Sequence, residues 1–357
     1  MKDLNPYRAL ADKLHSLPNA YPATKSGVEL KLLAKLFTPE QASLAAQLRL
    51  QKQTAKHIAE QFNLDPSHTR TLLKEMARAG LITADRIEAG VGYGLMPFVV
   101  GIYEMQIDRM DTELAELFET YYQEAFSTAL AYSPSFHRVI PVQESVSFDN
   151  RIEPYEEVNA ILETAQSWGV MDCICRKQKA LIGEPCDHPI EVCMIFGALP
   201  NAFDSHHTIR ALTFEEAKAT LSMAAEAGLV HCVSNNQKGI HYICNCCTCS
   251  CGILRGIADL GVANVIAHSA FINTVDLEKC IECELCIDEC PFEAISNTSK
   301  IEIDQDRCVG CGVCVQHCTE GALVLVARDE HDPPPPTIKD WGLMRARSRG
   351  LDMQEIL

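Results

Sequence analysis

The feature that most constrains this chain is a pair of cysteine motifs between residues 279 and 321. Two copies of C-x2-C-x2-C-x3-C occur there, and each cysteine of the second copy lies 28 residues after its counterpart. Three cysteines at this pitch can hold three irons of one cubane, while the fourth lies too far along the chain and ligates the other cluster. Zinc sites commonly pair C-x2-C knuckles across a longer loop, so this spacing favours iron–sulfur clusters over zinc or disulfides. The eight residues are Cys280, Cys283, Cys286, Cys290, Cys308, Cys311, Cys314 and Cys318.

Residues 271–328 resemble a bacterial-type two-cluster ferredoxin domain. The resemblance rests on the two motifs and on Pro291 after the fourth cysteine, where the second copy departs with Thr319. Each half is expected to form a short strand, the ligand loop, a short helix and a return strand. The resemblance implies two 4Fe-4S clusters, one held by Cys280, Cys283, Cys286 and Cys318, the other by Cys308, Cys311, Cys314 and Cys290.

Residues 1–95 predict a compact helical unit. Capping residues begin helices at Thr38, Thr54 and Asp65, and Gly80 ends the third of these helices. The pattern resembles a winged helix-turn-helix of the MarR type, with residues 81–92 as the wing.

A basic stripe lies on the third of these predicted helices, where Arg70, Lys74 and Arg78 recur every fourth residue. Such a stripe can contact DNA phosphates or bases. Charged residues at this spacing also form ordinary solvated helix faces, and winged helices serve as protein-docking modules. The pattern leaves DNA contact, protein contact and solvent exposure open, and DNA binding is not favoured.

Residues 96–270 predict a bridging helix and a mixed, cysteine-rich middle domain. Apolar residues at helical spacing favour one long helix from about residue 97 to 132. Cys246 and Cys247 are expected to serve different roles, because neighbouring side chains point in different directions. The candidate metal ligands of this domain are Cys173, Cys175, Cys186, Cys193, Cys244, Cys246, Cys247, Cys249 and Cys251.

Two interpretations of this middle region stay open. In the first, the cysteines hold one or two additional 4Fe-4S clusters, with Arg176 and His188 close enough to donate hydrogen bonds to them. In the second, they form a zinc site with further thiols, some of them redox-active. The first is favoured because the neighbouring two-cluster domain would give electrons a destination. Cys232 is solitary and is expected to be a buried small hydrophobe.

The charge is divided unevenly. Residues 1–90 contain 13 basic and 9 acidic residues, whereas residues 91–357 contain 18 and 39, a net charge of −21. The acidic part would repel phosphate and suits a redox partner with a basic docking face. The first residues lack the apolar core of a signal peptide and no run is long enough to span a membrane, so a cytoplasmic protein is expected.

Together these patterns predict an α+β multidomain protein. The expected segments are 1–95, 96–270, 271–328, and a proline-rich linker and tail over 329–357 that wraps back, docks a partner or lacks order. This arrangement resembles multi-cysteine iron–sulfur proteins of anaerobes. We expect an electron-transfer protein or electron-carrying subunit of an anaerobic oxidoreductase, without a flavin or nicotinamide site of its own because no G-x-G-x-x-G motif is present. The alternative is a redox-sensing transcriptional regulator.

Overall fold

The chain folds into two compact units in the computed structural model, which describes residues 5–142, 145–146, 152–258 and 265–352. The first unit comprises Met1–Ser133 with Gly342–Leu357, and the second comprises Pro134–Trp341. The predicted division into four segments stays a prediction. Within the described ranges, every helix is too short or too polar to cross a membrane.

Helices dominate the first unit. The predicted caps form: Thr38 and Gln41 make a reciprocal capping box, and Thr54 and Asp65 accept hydrogen bonds from backbone N–H groups at their helix starts. A three-stranded antiparallel sheet in the order β1-β3-β2 accompanies the helices. The elements are α1 (Asn5–His15), α2 (Val28–Leu36), α3 (Pro39–Ala45), β1 (Gln53–Thr54), α4 (Ala55–Phe62), α5 (Pro66–Arg78), β2 (Ile82–Ile87) and β3 (Gly90–Leu95).

The predicted single helix over 97–132 is wrong. Val99 and Val100 are extended, a short 3-10 turn covers Glu104–Arg109, and a new helix begins only at Thr112. The side chain of Asp111 caps this helix by accepting a hydrogen bond from the Leu114 N–H at 2.8 Å. Local capping and a bent backbone thus override the helical spacing of the apolar residues. The segment contains α6 (Thr112–Tyr121), a π turn (Tyr122–Phe126) and α7 (Ser127–Ala129).

A seven-stranded sheet forms the centre of the second unit, in the order β10-β4-β8-β9-β6-β5-β7. Its strands are β4 (His137–Val139), β5 (Ser167–Asp172), β6 (Glu191–Gly197), β7 (Arg210–Leu212), β8 (Val230–Ser234), β9 (Tyr242–Cys246) and β10 (Ile266–Ala267). The accompanying helices are α8 (Val158–Glu163), α9 (Ile174–Leu181), α10 (Phe214–Glu226) and α11 (Arg255–Ala258). Neighbouring strands are antiparallel except β4 and β10.

The two faces of this sheet carry different side chains. Met194 of β6 pairs with Ile243 of β9, and both pack in the apolar core with Leu162 of α8 and Leu221 of α10. Successive strand residues point to opposite faces. The neighbouring cysteines on β6 and β9 therefore lie opposite each other on the other face.

The ferredoxin-like repeat follows, and its predicted order of strand, loop, helix and return strand is confirmed. The first half contains β11 (Phe271–Val275), α12 (Leu285–Asp288) and β12 (Ile295–Asn297), and the second contains β13 (Ile301–Ile303), α13 (Val313–Gln316) and β14 (Leu323–Ala327). The halves interlock, because β11 pairs with β14 and β12 pairs with β13, both antiparallel.

The tail is ordered as helix α14 (Ile338–Ser348). The buried Arg345 guanidinium donates to the carbonyls of Pro18 at 3.0 Å and Ala129 at 2.5 Å. The first of the three predicted outcomes is therefore observed: over its described residues, the tail packs back on its own chain. It does so through backbone carbonyls of the first unit.

Candidate metal centres

Four cysteines from both motifs line one cavity in the ferredoxin-like repeat. They are Cys280, Cys283, Cys286 and Cys318, with Ile281, Ile301 and Leu323 in the wall. The first three come from one loop, and the fourth arrives from the second motif because the strands of the two halves interlock. We call these four cysteines the outer group.

The remaining four cysteines gather beside the first set. Cys290 packs with Cys308 around Ile272 and Ala294. Cys311 and Cys314 both interact electrostatically with Cys290 and Cys308. We call these four cysteines the inner group. The exchange of the fourth cysteine between motifs, which the family resemblance implies, is thus present in the geometry.

Hydrogen-bond donors point at the sulfurs of both groups. The N–H of Ala294 donates to Cys290 Sγ and that of Ala322 donates to Cys318 Sγ, each at 3.3 Å. These two bonds lie 28 residues apart and so follow the repeat. Asn273 Nδ2 adds a third bond, to Cys314 Sγ at 3.1 Å. Donors aimed at ligand sulfurs stabilise negative charge there, which raises the potential of a bound cluster.

The two groups differ in exposure. Cys308, Cys311 and Cys314 of the inner group are 9%, 8% and 6% exposed, whereas in the outer group only Cys286 is buried and Cys283 is exposed. Burial raises the pKa of the Cys311 thiol to about 12. A thiolate at that position therefore needs a metal, whose binding displaces the thiol proton.

The two cysteine loops have left-handed backbone at equivalent positions, but different residue types occupy those positions. Gly310 and Gly312 have φ of +71° and +80°, and a Cβ on Gly310 would lie 2.1 Å from the Phe271 carbonyl oxygen. The equivalent residues of the outer loop are Glu282 and Glu284, with φ of 56° and 64°, and both are exposed. Packing requires glycine in the inner loop, while the outer loop accepts a side chain into solvent.

Six cysteines of the middle region form a closed ring of neighbouring thiols. In order around the ring they are Cys173, Cys175, Cys251, Cys246, Cys244 and Cys193, and each thiol shifts the pKa of the next through their mutual interaction. The sheet register brings β6 and β9 cysteines together, and the start of α9 and the turn before α11 supply the others. We call this set the thiol ring.

Cys232 connects the thiol ring to the inner group. Its fully buried thiol, on β8, interacts electrostatically with Cys246 and with Cys311. The expectation that Cys232 is buried is confirmed, but it is not solitary. Strand pairing places it against Cys244, a neighbour that its isolated place in the sequence does not reveal.

A separate set of four side chains that can bind a metal ion lies beside the ring. Cys186 Sγ is 3.2 Å from His188 Nδ1 and 3.8 Å from Cys247 Sγ, and these atoms lie within 4.8 Å of one another and of Cys249 Sγ. We call Cys186, His188, Cys247 and Cys249 the tetrad. Cys246 belongs to the ring and Cys247 to the tetrad, so the two neighbours lie in different groups, and their different roles stay a prediction.

A buried cation lies between the ring and the tetrad. Arg176 is 3% exposed and donates to the carbonyls of Pro189 at 3.0 Å and Asn245 at 2.9 Å. The charges that favour its protonated form are those of Cys173, Cys247 and Cys246. The pKa of Cys173 lies well below its usual value because the thiols of Cys175 and Cys193 donate to it and Arg176 is close. This guanidinium therefore faces the Cys173 sulfur, the one of the three whose thiolate form is favoured.

The nine cysteines predicted as metal ligands in the middle region fall into two groups, six in the ring and three in the tetrad, and metal binding by them stays a prediction. The sequence predicted that His188 donates a hydrogen bond to a cluster. Its Nδ1 instead lies 3.2 Å from Cys186 Sγ, close enough for both atoms to bind the same metal ion. The C-x-H spacing of Cys186 and His188, matched by the C-x-C of Cys247 and Cys249, was the available signal. Asn273 has no such signal, because strand β11 places it beside Cys314.

The basic residues singled out in the first unit lie elsewhere. Arg70, Lys74 and Arg78 are all exposed on α5, and Leu72, Leu73 and Met76 of the same helix are buried. The stripe is thus on the solvent side of the helix, as each of its three interpretations requires.

Comparison with known proteins bears on the repeat. A family described as a 4Fe-4S dicluster domain matches residues 272–319. No curated protein and no solved structure matches the chain. The match and the eight cysteines show that this chain contains an iron–sulfur domain of the ferredoxin type.

Proposed function

We propose that this chain is an electron-transfer protein, the electron-carrying subunit of an anaerobic oxidoreductase, and that its middle domain holds at least one iron–sulfur centre beyond the two of the repeat. In this proposal the outer group and the inner group each hold one 4Fe-4S cluster, and the thiol ring holds the additional centre. Such clusters take up or release one electron with little rearrangement. The residues of the chain hold them, set their potentials and separate them from water.

The observation that carries the proposal is the position of Cys232. Cys232 pairs across the strands with Cys244 of the ring, and its thiol interacts electrostatically with Cys246 of the ring and with Cys311 of the inner group. The three sets of thiols therefore follow one another from the exposed outer group through the buried inner group to the ring. A single isolated carrier would need no third set of thiols beside its buried cluster.

Iron and acid-labile sulfide should exceed about eight per chain in anaerobically purified protein, since the repeat accounts for about eight of each. The double variant Cys175→Ser/Cys244→Ser removes two ring thiols and should lower both contents to about eight, while a spectroscopic redox titration retains the signals of the repeat. Cys232→Ala is the control, since Cys232 lies outside the ring, and it should keep all the iron. About eight iron atoms in the unaltered protein would contradict the centre in the ring.

The proposed partner is a redox protein with a basic docking face. The acidic face beside the outer group consists of Glu278, Glu282, Glu284 and Asp288, which lie on and around the loop of the first motif. Two of these carboxylates stand on left-handed backbone, which costs a non-glycine residue about 1 kcal/mol. The fold itself would be better served by glycine, as in the inner loop. This supports a role for the carboxylates in recognition.

We expect Glu282→Gly to raise the stability of the chain by about 1 kcal/mol because the left-handed strain is released. The same change should slow electron transfer to a lysine-rich c-type cytochrome at low salt. For the unaltered protein, that rate should fall about tenfold or more as ionic strength rises, because steering by opposite charges is screened. Glu302→Gly, on β13, is the charge control. A rate independent of salt would contradict the docking face.

A second candidate function is transcriptional regulation through the first unit. It is favoured by the exposed stripe of Arg70, Lys74 and Arg78 and by the β2–β3 hairpin that follows α5, the arrangement expected of a winged helix. Binding to promoter DNA that changes with the oxidation state of the iron–sulfur centres, and that weakens in Arg70→Ala/Arg78→Ala, would favour this function over electron transfer.

A further inference from the structure

The tetrad differs from every other set of thiols in how closely its donor atoms gather. All four atoms lie within 4.8 Å of one another. Among the described residues, no other group of three or more histidine, cysteine or acidic side chains reaches this mutual closeness. The outer group, the inner group and the thiol ring are therefore all more open than the tetrad.

This difference matches the difference between one metal ion and a cluster. In a cubane each thiolate binds a different iron, so the ligand sulfurs stand apart. Ligands of a single ion share one centre. Two sulfurs that each lie about 2.3 Å from a tetrahedral zinc are about 3.8 Å apart. The Cys186 and Cys247 sulfurs lie 3.8 Å apart, and His188 Nδ1 is 3.2 Å from the Cys186 sulfur.

The surroundings of the tetrad suit a closed site with a net negative charge. Three thiolates and one imidazole around a divalent ion carry one negative charge, and the buried Arg176 guanidinium interacts with Cys247. The Ser250 hydroxyl donates to Cys249 Sγ at 3.8 Å. Cys247 is packed among Val192, Ala224 and Leu229, with Cys186 against it.

We propose that Cys186, His188, Cys247 and Cys249 bind a single zinc ion in a structural site, separate from all the iron–sulfur centres of the chain. Four protein ligands leave no open position on a tetrahedral zinc, which is the mark of a structural rather than a catalytic site. The ion would tie the loop after α9 to the end of β9. It would thereby fix the turn from which Cys251 reaches the thiol ring.

Measurement of zinc and iron in the same samples of the full chain tests this assignment. We expect about one zinc per chain in the unaltered protein. Cys249→Ser should lose the zinc and keep the iron, and because Cys249 is exposed the substitution leaves the apolar packing intact. Cys175→Ser, in the ring, should keep the zinc. Loss of iron together with zinc in Cys249→Ser, or zinc that survives this change, would overturn the proposal.

Zinc X-ray absorption gives a second readout that iron–sulfur absorption does not obscure. The expected shell has three sulfurs at about 2.3 Å and one nitrogen at about 2.0 Å. His188→Cys should keep the zinc and convert the shell to four sulfurs, because sites with four cysteine ligands also bind zinc tightly. An unchanged shell in His188→Cys, or iron instead of zinc at this site, would overturn the assignment. Iron in the tetrad would add about one iron per chain without acid-labile sulfide, whereas the proposed electron-transfer function requires additional iron and sulfide together, so the two proposals fail separately.

Discussion

The double variant Cys280→Ala/Cys318→Ala is expected to lose about four iron atoms, no more than either single variant loses. The reason is that both residues line the cavity of the outer group, although they belong to different sequence motifs. Removal of a second ligand from a cluster that is already lost costs no further iron. Iron and sulfide analysis of anaerobically purified protein measures the effect.

The matched comparison is Cys308→Ala/Cys318→Ala, whose two residues share a motif but not a group. Cys308 packs with Cys290 in the inner group. This double variant should therefore lose about eight iron atoms, which is both clusters of the repeat. If the motif partners instead shared a cluster, the two double variants would exchange their results, and the assignment of ligands to the outer and inner groups would be wrong.

Arg176→Met should destabilise the second unit by about 3–5 kcal/mol, because it removes the buried cation and leaves the buried Cys173 thiolate unpaired. The methionine fills similar space without charge. It also deprives the carbonyls of Pro189 and Asn245 of their donor. The affinity of the neighbouring metal sites should fall about 10- to 100-fold, the usual effect of losing a partner of the ligands. Denaturant unfolding and metal content after dialysis against a chelator measure the two effects.

The control for this change is Arg210→Met on the adjacent part of the same sheet. Arg210 pairs with Glu191 at 2.6 Å, but both side chains are about half exposed. An exposed ion pair contributes about 1 kcal/mol or less, so the control should keep its stability and its metals. Equal losses of stability and metal in the two variants would contradict an ion pair between Arg176 and the Cys173 sulfur.

Features set by neighbours along the chain could be predicted from the sequence. The 28-residue repeat of C-x2-C-x2-C-x3-C motifs indicated the iron–sulfur domain that the family comparison supports. Thr38, Thr54 and Asp65 indicated helix starts because a cap needs only its own first turn. The different directions of neighbouring side chains were enough to predict that Cys246 and Cys247 separate.

Only the tertiary structure decided how the middle cysteines are grouped. Cys193 and Cys244 are 51 residues apart, and they meet because Met194 pairs with Ile243 across β6 and β9. The same sheet brings Cys232 against Cys244 and so toward the inner group. The strand register is set by burial of the sheet face that packs against Leu162 of α8 and Leu221 of α10. No local sequence pattern specifies that register. The sequence determined which residues could bind metal, and packing of the opposite face of the sheet decided which of them lie together.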